Sequence, residues 1–126
     1  MHEVLIHLIE KYYGSGEIRR KTQKAYTDNV IMGFVSRIDF YNTGLPRYEI
    51  KRNKDTLLFE DKEFYPNGKL KKETIQTSPL VFVEKEFNKD GKLLKEHIKQ
   101  GQNTLLKEYD NENKIQKLLL NNKEVP

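Results

Sequence analysis

The feature that most constrains this chain is a short motif that recurs five times within 126 residues. Its clearest copy, KEFYPNGKLKKE, occupies positions 62–73, and a second, KEFNKDGKLLKE, occupies 85–96. A third copy runs over 107–117, and two more divergent copies cover 12–20 and 39–47. The turn glycines stand at 16, 44, 68 and 91, and an asparagine takes the fifth place at 113. Regular self-similarity of this kind predicts a fold built from one supersecondary unit per repeat.

Each copy has the pattern of a strand, a tight turn and a second strand. Pro66 suits the first central position of a type I turn, Asn67 the second, and Gly68 the left-handed position that follows. Asn113 fits the last of these positions because Asn tolerates a positive φ better than other non-glycine residues. The sequence therefore predicts an all-β protein of one domain, residues 1–126. We expect an antiparallel meander of about five consecutive β-hairpins and about ten strands, in a single elongated or curled sheet.

The strand register is predicted from the relative size of two effects. A three-residue loop pairs Phe64 with Leu70, whereas a two-residue turn would pair Glu63 with Lys72 instead. Burial of a large apolar side chain contributes about 1.5–3 kcal/mol, and an exposed ion pair contributes about 0–1 kcal/mol. The apolar register is therefore expected, with aromatic and aliphatic ladders on one face and Lys and Glu on the other. The equivalent pairs are Phe87 with Leu93, Tyr109 with Ile115, and Tyr12 with Ile18.

Several classes of chemistry lack the residues they need. The chain has no cysteine, which excludes a disulfide framework and a thiolate metal site. Its histidines, His2, His7 and His97, have no metal-ligand spacing. Carboxylates recur once per hairpin, as structural features or an extended binding surface do, and not as a single acid–base pair. We expect no enzymatic activity, no catalytic residues, no metal and no cofactor.

The N-terminal segment and the charge bear on location and partners. Glu3 and a short apolar run argue against a signal peptide, and no stretch approaches the roughly 20 apolar residues of a membrane span. We therefore expect a cytoplasmic protein. The net charge of +4, from 23 Lys and Arg against 19 Asp and Glu, favours an acidic partner without identifying nucleic acid.

Basic residues follow the turns on the second strand of successive hairpins, about 10 Å apart if the hairpins lie side by side. They form either a solvated face that blocks edge pairing or a stripe that meets an acidic protein surface or a phosphate backbone. Turn-flanking tyrosines either join that stripe as hot-spot residues or shield the hairpins. The long segment between the first two copies, residues 23–33, is the other candidate for the binding surface. The candidate partner-binding residues are Arg19, Arg20, Arg47, Lys71, Lys72, Tyr13, Tyr41 and Tyr65.

The unit at 62–73 resembles the MORN-like repeat variant that makes up YwqK-type antitoxins, and the resemblance covers roughly residues 10–120. It implies the hairpin fold and a non-enzymatic protein-binding module that neutralises a bacterial toxin, effector or nuclease, including anti-CRISPR-type inhibitors. The alternative that it implies is a membrane-surface, phospholipid-binding or scaffolding module. The second copy departs from the pattern, with Pro46 where an aliphatic residue is expected. The apolar segments 4–9 and 117–120 should lie at the sheet edges without partners, where a homodimer or an added strand would cover them.

Overall fold

The computed structural model describes residues 4–27, 30–53 and 55–125. These residues form one open antiparallel sheet of eleven strands whose order in space is their order in the chain. The predicted all-β meander of hairpins is confirmed, in its elongated form. Within the described residues, no helix has the length and apolarity needed to cross a membrane. The strands are β1 Val4–Tyr12, β2 Ile18–Thr27, β3 Val30–Phe40, β4 Pro46–Arg52, β5 Phe59–Phe64, β6 Leu70–Ser78, β7 Val81–Phe87, β8 Leu93–Gln100, β9 Asn103–Tyr109, β10 Ile115–Leu120 and β11 Lys123–Glu124.

The five repeats close through the same three-residue loop. In the third hairpin, the Tyr65 amide donates to the Lys69 carbonyl at 2.8 Å, and the Gly68 amide donates to the Tyr65 carbonyl at 2.9 Å. Gly68 has a φ of 88°, in the left-handed region, and Asn113 takes the same position in the fifth hairpin with a φ of 62°. The turn chemistry predicted from the sequence is confirmed in these copies.

The register contains both of the pairings that the sequence analysis treated as alternatives. Phe64 lies opposite Leu70, as predicted, and the next residue, Lys71, has no partner. This β-bulge returns Glu63 to a position opposite Lys72, so the choice of one pairing over the other was wrong. The same bulge occurs once in every hairpin, and the extra residues are Arg19, Arg47, Lys71, Leu94 and Gln116.

The two faces of the sheet are named here by their contents. The bulge face carries the bulged residues and one directly paired row across ten strands: Lys11, Arg20, Asp39, Tyr48, Glu63, Lys72, Glu86, Lys95, Glu108 and Lys117. The ladder face carries the aromatic–aliphatic pairs. It also carries a row of charges, because Lys62 lies two residues before Phe64 and alternate residues share a face. The expected restriction of Lys and Glu to one face was therefore wrong.

The sheet is a single layer. Among the described residues, each strand contacts only its neighbours in the sheet, and no large side chain is fully buried. Cohesion therefore comes from backbone ladders and cross-strand pairs, which contribute about 0.2–1 kcal/mol each. Where side-chain burial is described, both faces of the sheet are consequently accessible, which is unusual for a sheet.

The two edges of the sheet differ. The segment 117–120, expected to lack a partner, pairs with the chain's own β11 through Leu119 opposite Glu124 and Leu120 opposite Lys123. The Val125 amide adds a bond to the Leu118 carbonyl at 2.8 Å. The expectation was wrong at this edge because the Asn121–Asn122 turn, with φ of 51° and 65°, reverses the chain once more. At the opposite edge, β1 pairs with β2 alone within the described sheet, and association through it remains a prediction.

The segment 23–33, expected to be a linker, is not a loop in the described residues. Residues 23–27 complete β2 and residues 30–33 begin β3. These two strands therefore extend further from the three-residue loops that close the repeats. Asp28 and Asn29 lie outside the described residues, as does His2. A hairpin extension therefore replaces the loop that the spacing of the first two repeats suggested.

Candidate binding surface on the bulge face

Three arginines surround one carboxylate where the first two hairpins meet. The side chain of Asp39 is 7% exposed, and Arg20 Nε donates to its Oδ1 at 2.7 Å. Arg37 Nε lies 3.7 Å from the same oxygen, and Arg47 Nη2 lies 3.9 Å from Oδ2. One negative charge is thus shared among three guanidinium groups, and the cluster keeps a positive excess.

A second layer of contacts holds Arg37 and Tyr48 in place. The Arg37 guanidinium lies over the Tyr48 ring, 5.4 Å from its centroid. Its buried Nε makes no hydrogen bond among the described residues. The Tyr48 hydroxyl donates to Asp61 Oδ2 at 3.2 Å. Burial, with the nearby Asp61 charge, raises the pKa of Tyr48 to about 12, so it remains a neutral donor at physiological pH.

Depressions lie at the junctions between consecutive hairpins, each beside a turn tyrosine. The first depression, about 360 Å³, is lined by Tyr13, Arg19, Arg20, Asp39 and Arg47. The second, about 380 Å³, is lined by Arg37, Asp39, Tyr41, Arg47, Tyr48, Glu63, Phe64 and Lys71. The third, between the third and fourth hairpins, is smaller than both, about 150 Å³. The first two share Arg47 and Asp39, so they are neighbouring parts of one concave region.

The three candidate tyrosines tie each hairpin to the next. The hydroxyls of Tyr13, Tyr41 and Tyr65 donate to the carbonyls of Phe40, Phe64 and Phe87 at 2.5, 2.6 and 2.6 Å. In the last two hairpins Asn88 and Asp110 take this position, and their side chains accept bonds from their own turns instead. The hydroxyls of the three tyrosines are therefore engaged within the fold, and their half-buried rings form the walls of the depressions.

Replacing Tyr41 with Phe should lower the free energy of unfolding by about 1 kcal/mol. The substitution removes the bond to the Phe64 carbonyl, and an intramolecular hydrogen bond contributes about that much net. Tyr12→Phe is the control, because among the described residues the Tyr12 hydroxyl bonds only to Glu10 of its own strand, in a solvent-exposed hydrogen bond. Urea unfolding followed by circular dichroism would measure both. Equal stability of the two variants would show that the hydrogen bond from Tyr41 to the Phe64 carbonyl does not hold the hairpins together.

The candidate basic residues fall into two groups. Arg19, Arg47 and Lys71 are bulged residues with exposed side chains. Arg20 is bound to Asp39, and Lys72 Nζ lies 3.1 Å from Glu84 Oε1, a contact that raises the pKa of that ammonium. The three bulged cations are therefore the most exposed of the candidate basic residues, while Arg20 and Lys72 are partly neutralised inside the sheet.

Charge on the bulge face changes along the molecule. The count covers the bulged residues, the row from Lys11 to Lys117, and the next row of the same face, which includes Arg37, Asp61 and Glu84. In this set the first two hairpins carry five cations and one acid. The last three hairpins carry four cations and five acids. The cations of the first set are Lys11, Arg19, Arg20, Arg37 and Arg47, and the acid is Asp39; the second set comprises Lys71, Lys72, Lys95 and Lys117 against Asp61, Glu63, Glu84, Glu86 and Glu108.

Two members of this surface were not singled out from the sequence. Arg37 lies on the same strand as Asp39, two residues away, so alternation alone places both side chains on one face. Tyr48 stands in the row position where later hairpins have lysine. The sequence signal that could have identified Tyr48 is its departure from the repeat, because lysine takes the same position in later hairpins. A charge that recurs in every hairpin is structural, whereas an interruption of the pattern marks a local feature.

Elsewhere, a depression of about 490 Å³ lies at the opposite ends of the strands, beside the turn between β4 and β5. Its lining alternates between the two faces and has no comparable charge excess. Among the described residues, no group of three or more His, Cys, Asp or Glu side chains is arranged to hold a metal ion. Comparison with protein-family models and with curated proteins found no match for this chain.

Proposed function

We propose that this chain is a non-enzymatic protein-binding module that neutralises a toxin, effector or nuclease by covering part of its surface with the bulge face. The observation that carries the proposal is the concentration of exposed cations, Arg19, Arg47 and Lys71, at consecutive bulges of a single-layer sheet. The MORN-like resemblance of the repeat supports the class of inhibitor.

The geometry suits a macromolecular partner better than a small molecule. The junction depressions are open to one side of the sheet and adjoin one another, whereas small-molecule sites usually enclose most of their ligand. Ten strands at about 4.8 Å each make a surface close to 50 Å long. Rim charges on such a surface govern the association rate and specificity of a protein complex.

The test is a capture experiment with charge-matched variants. The full chain is immobilised and compared with Arg19→Glu/Arg47→Glu/Lys71→Glu in a lysate of the cell that makes it. We expect a protein that the wild type retains and the triple variant loses, and whose activity falls when purified wild-type chain is added at equimolar concentration. The control is Lys51→Glu/Lys85→Glu/Lys123→Glu, which makes the same change in net charge on the ladder face.

The experiment has outcomes that would overturn the proposal. If both triple variants lose the partner equally, net charge and not the bulge surface governs binding. If the captured protein keeps full activity, the chain is not an inhibitor. Sedimentation with anionic vesicles at physiological salt tests the membrane-surface alternative, and binding that the bulge variant abolishes would replace the proposal with that one.

A further inference from the structure

We propose that the two junction depressions of the first three hairpins are carboxylate-binding subsites that together recognise an extended acidic segment of the partner. The inference rests on the proposed function and gives the chemistry of the surface that it would cover. Arg19 and Arg47 line the first subsite together with Tyr13, and Arg47 and Lys71 line the second together with Tyr41.

One carboxylate serves three of the arginines at these junctions. Asp39 accepts a hydrogen bond from Arg20 and lies within 4 Å of the Arg37 and Arg47 guanidinium groups, which leaves guanidinium N–H groups that this single carboxylate does not satisfy. A guanidinium presents a planar fork of donors that matches a carboxylate in a bidentate geometry. The hydrogen bond that Arg37 Nε lacks in the described structure is consistent with a cluster whose donors exceed its acceptors.

The spacing of the cations selects the form of the ligand. Arg19, Arg47 and Lys71 lie on β2, β4 and β6, so successive members are two strand widths apart, about 10 Å. A peptide in the polyproline II conformation advances about 3.1 Å per residue with three residues per turn. Carboxylates at every third residue of such a segment lie on one side, about 9 Å apart, and would therefore meet successive cations as the segment crosses the strands.

A nucleic acid fits this surface less well. Glu63 lines the second depression between the positions of Arg47 and Lys71, where a continuous phosphate backbone would meet it. Single-strand binding proteins also provide exposed aromatic rings on which bases stack. Here the three tyrosines are half-buried and their hydroxyls are bound to the neighbouring hairpins. Separate carboxylates at about 10 Å intervals would each contact one cation, Arg19, Arg47 or Lys71, while uncharged residues of the segment cross Glu63.

The fourth hairpin provides an internal comparison. Its bulged residue is Leu94, and the depression at its junction with the third hairpin is about 150 Å³, less than half the size of the other two. Acid and base alternate along its paired row, Glu86 with Lys95. The repeat is thus present without the subsite, which indicates that the arginines and not the hairpin architecture create it.

The inference can be tested with synthetic peptides and the purified full chain. The probe is a fluorescein-labelled twelve-residue peptide of Glu, Gly and Ser with Glu at every third position. The comparison peptide has the same composition with its glutamates adjacent. Anisotropy at about 0.15 M salt should show at least tenfold tighter binding of the spaced peptide. Arg19→Glu/Arg47→Glu should weaken its binding tenfold or more, because the two new carboxylates repel the glutamates of the peptide, whereas Lys99→Glu/Lys117→Glu should change it less than threefold.

Equal affinity for the spaced and clustered peptides would overturn the inference, because attraction would then be nonspecific. Tighter binding of a twelve-nucleotide single-stranded DNA, lost in the same double variant, would assign the surface to nucleic acid instead. If the spaced peptide binds as expected while capture from lysate yields no inhibited protein, the subsites stand and the inhibitor function fails. If capture succeeds while the spaced peptide does not bind, the inhibitor function stands and the subsites fail.

Discussion

Replacing Asp39 with Asn should lower the free energy of unfolding by about 2 kcal/mol. The substitution keeps the size of the side chain and removes the charge that Arg20, Arg37 and Arg47 share. Hydrogen bonds to charged groups contribute about 1.5–3 kcal/mol each, and Asn retains an acceptor for Arg20, so one such contribution is the expected net loss. Urea unfolding at low salt measures it directly.

The control for this prediction is Glu108→Gln, at the equivalent place in the fifth hairpin. Its carboxylate lies 4.0 Å from Lys95 Nζ and is 31% exposed, so the loss should be within about 0.5 kcal/mol. Salt provides a second criterion. Screening weakens the repulsion among the arginines, and 0.5 M salt should therefore narrow the gap between Asp39→Asn and the wild type. Equal losses in the two variants, or a gap independent of salt, would contradict the arginine cluster.

Replacing Gly68 with Val should lower the free energy of unfolding by about 2–3 kcal/mol. Space is not the reason, because the nearest atom that an added Cβ meets is Leu45 Cδ1 at 4.0 Å. The reason is the backbone: φ is 88°, and a β-branched residue is strained by about 1–3 kcal/mol in the left-handed region. Against a typical domain stability of 5–15 kcal/mol this is a large loss.

Two substitutions calibrate the Gly68 result. Gly14 lies in the first turn with open space around it and outside the left-handed region, so Gly14→Val should have little effect. Gly68→Asn should fall between the two valine variants, because Asn113 adopts this conformation in the fifth hairpin. Thermal unfolding followed by circular dichroism ranks the three. A neutral Gly68→Val would mean that the turn is not the three-residue loop.

The parts of the fold that could be predicted are those that are local in sequence. The loop of Pro66, Asn67 and Gly68 and the Phe64–Leu70 pair depend on a few adjacent residues, and the structure has both. The bulge at Lys71 was not predicted because loop length and register were treated as one choice, whereas an extra residue separates them. The covering strand β11 has no counterpart in the repeat and so carried no signal.

The candidate surface was only partly predictable because it is made across hairpins. Arg19, Arg20 and Arg47 were found from their place after the turns. Their convergence on Asp39 depends on the register of β2 against β3, which the repeated motif does not specify. Whether a given cation is presented or neutralised depends on its neighbours: Lys72 meets Glu84 and Arg47 stays half exposed, a difference that charge counting along the chain does not reveal.

Among the described residues each strand contacts its neighbours and no other strand. The number of hairpins, and with it the length of the sheet, can therefore change without altering a shared core. In such one-dimensional arrays stability is close to a sum over units and their interfaces, so the hairpins at the ends open more readily than those in the middle. The hydrogen bonds from the Tyr13, Tyr41 and Tyr65 hydroxyls join the first four hairpins to one another. Among the described residues, no tyrosine forms the equivalent bond to the fifth hairpin. Gain or loss of a C-terminal hairpin would therefore change the length of the sheet while leaving the arginine cluster intact.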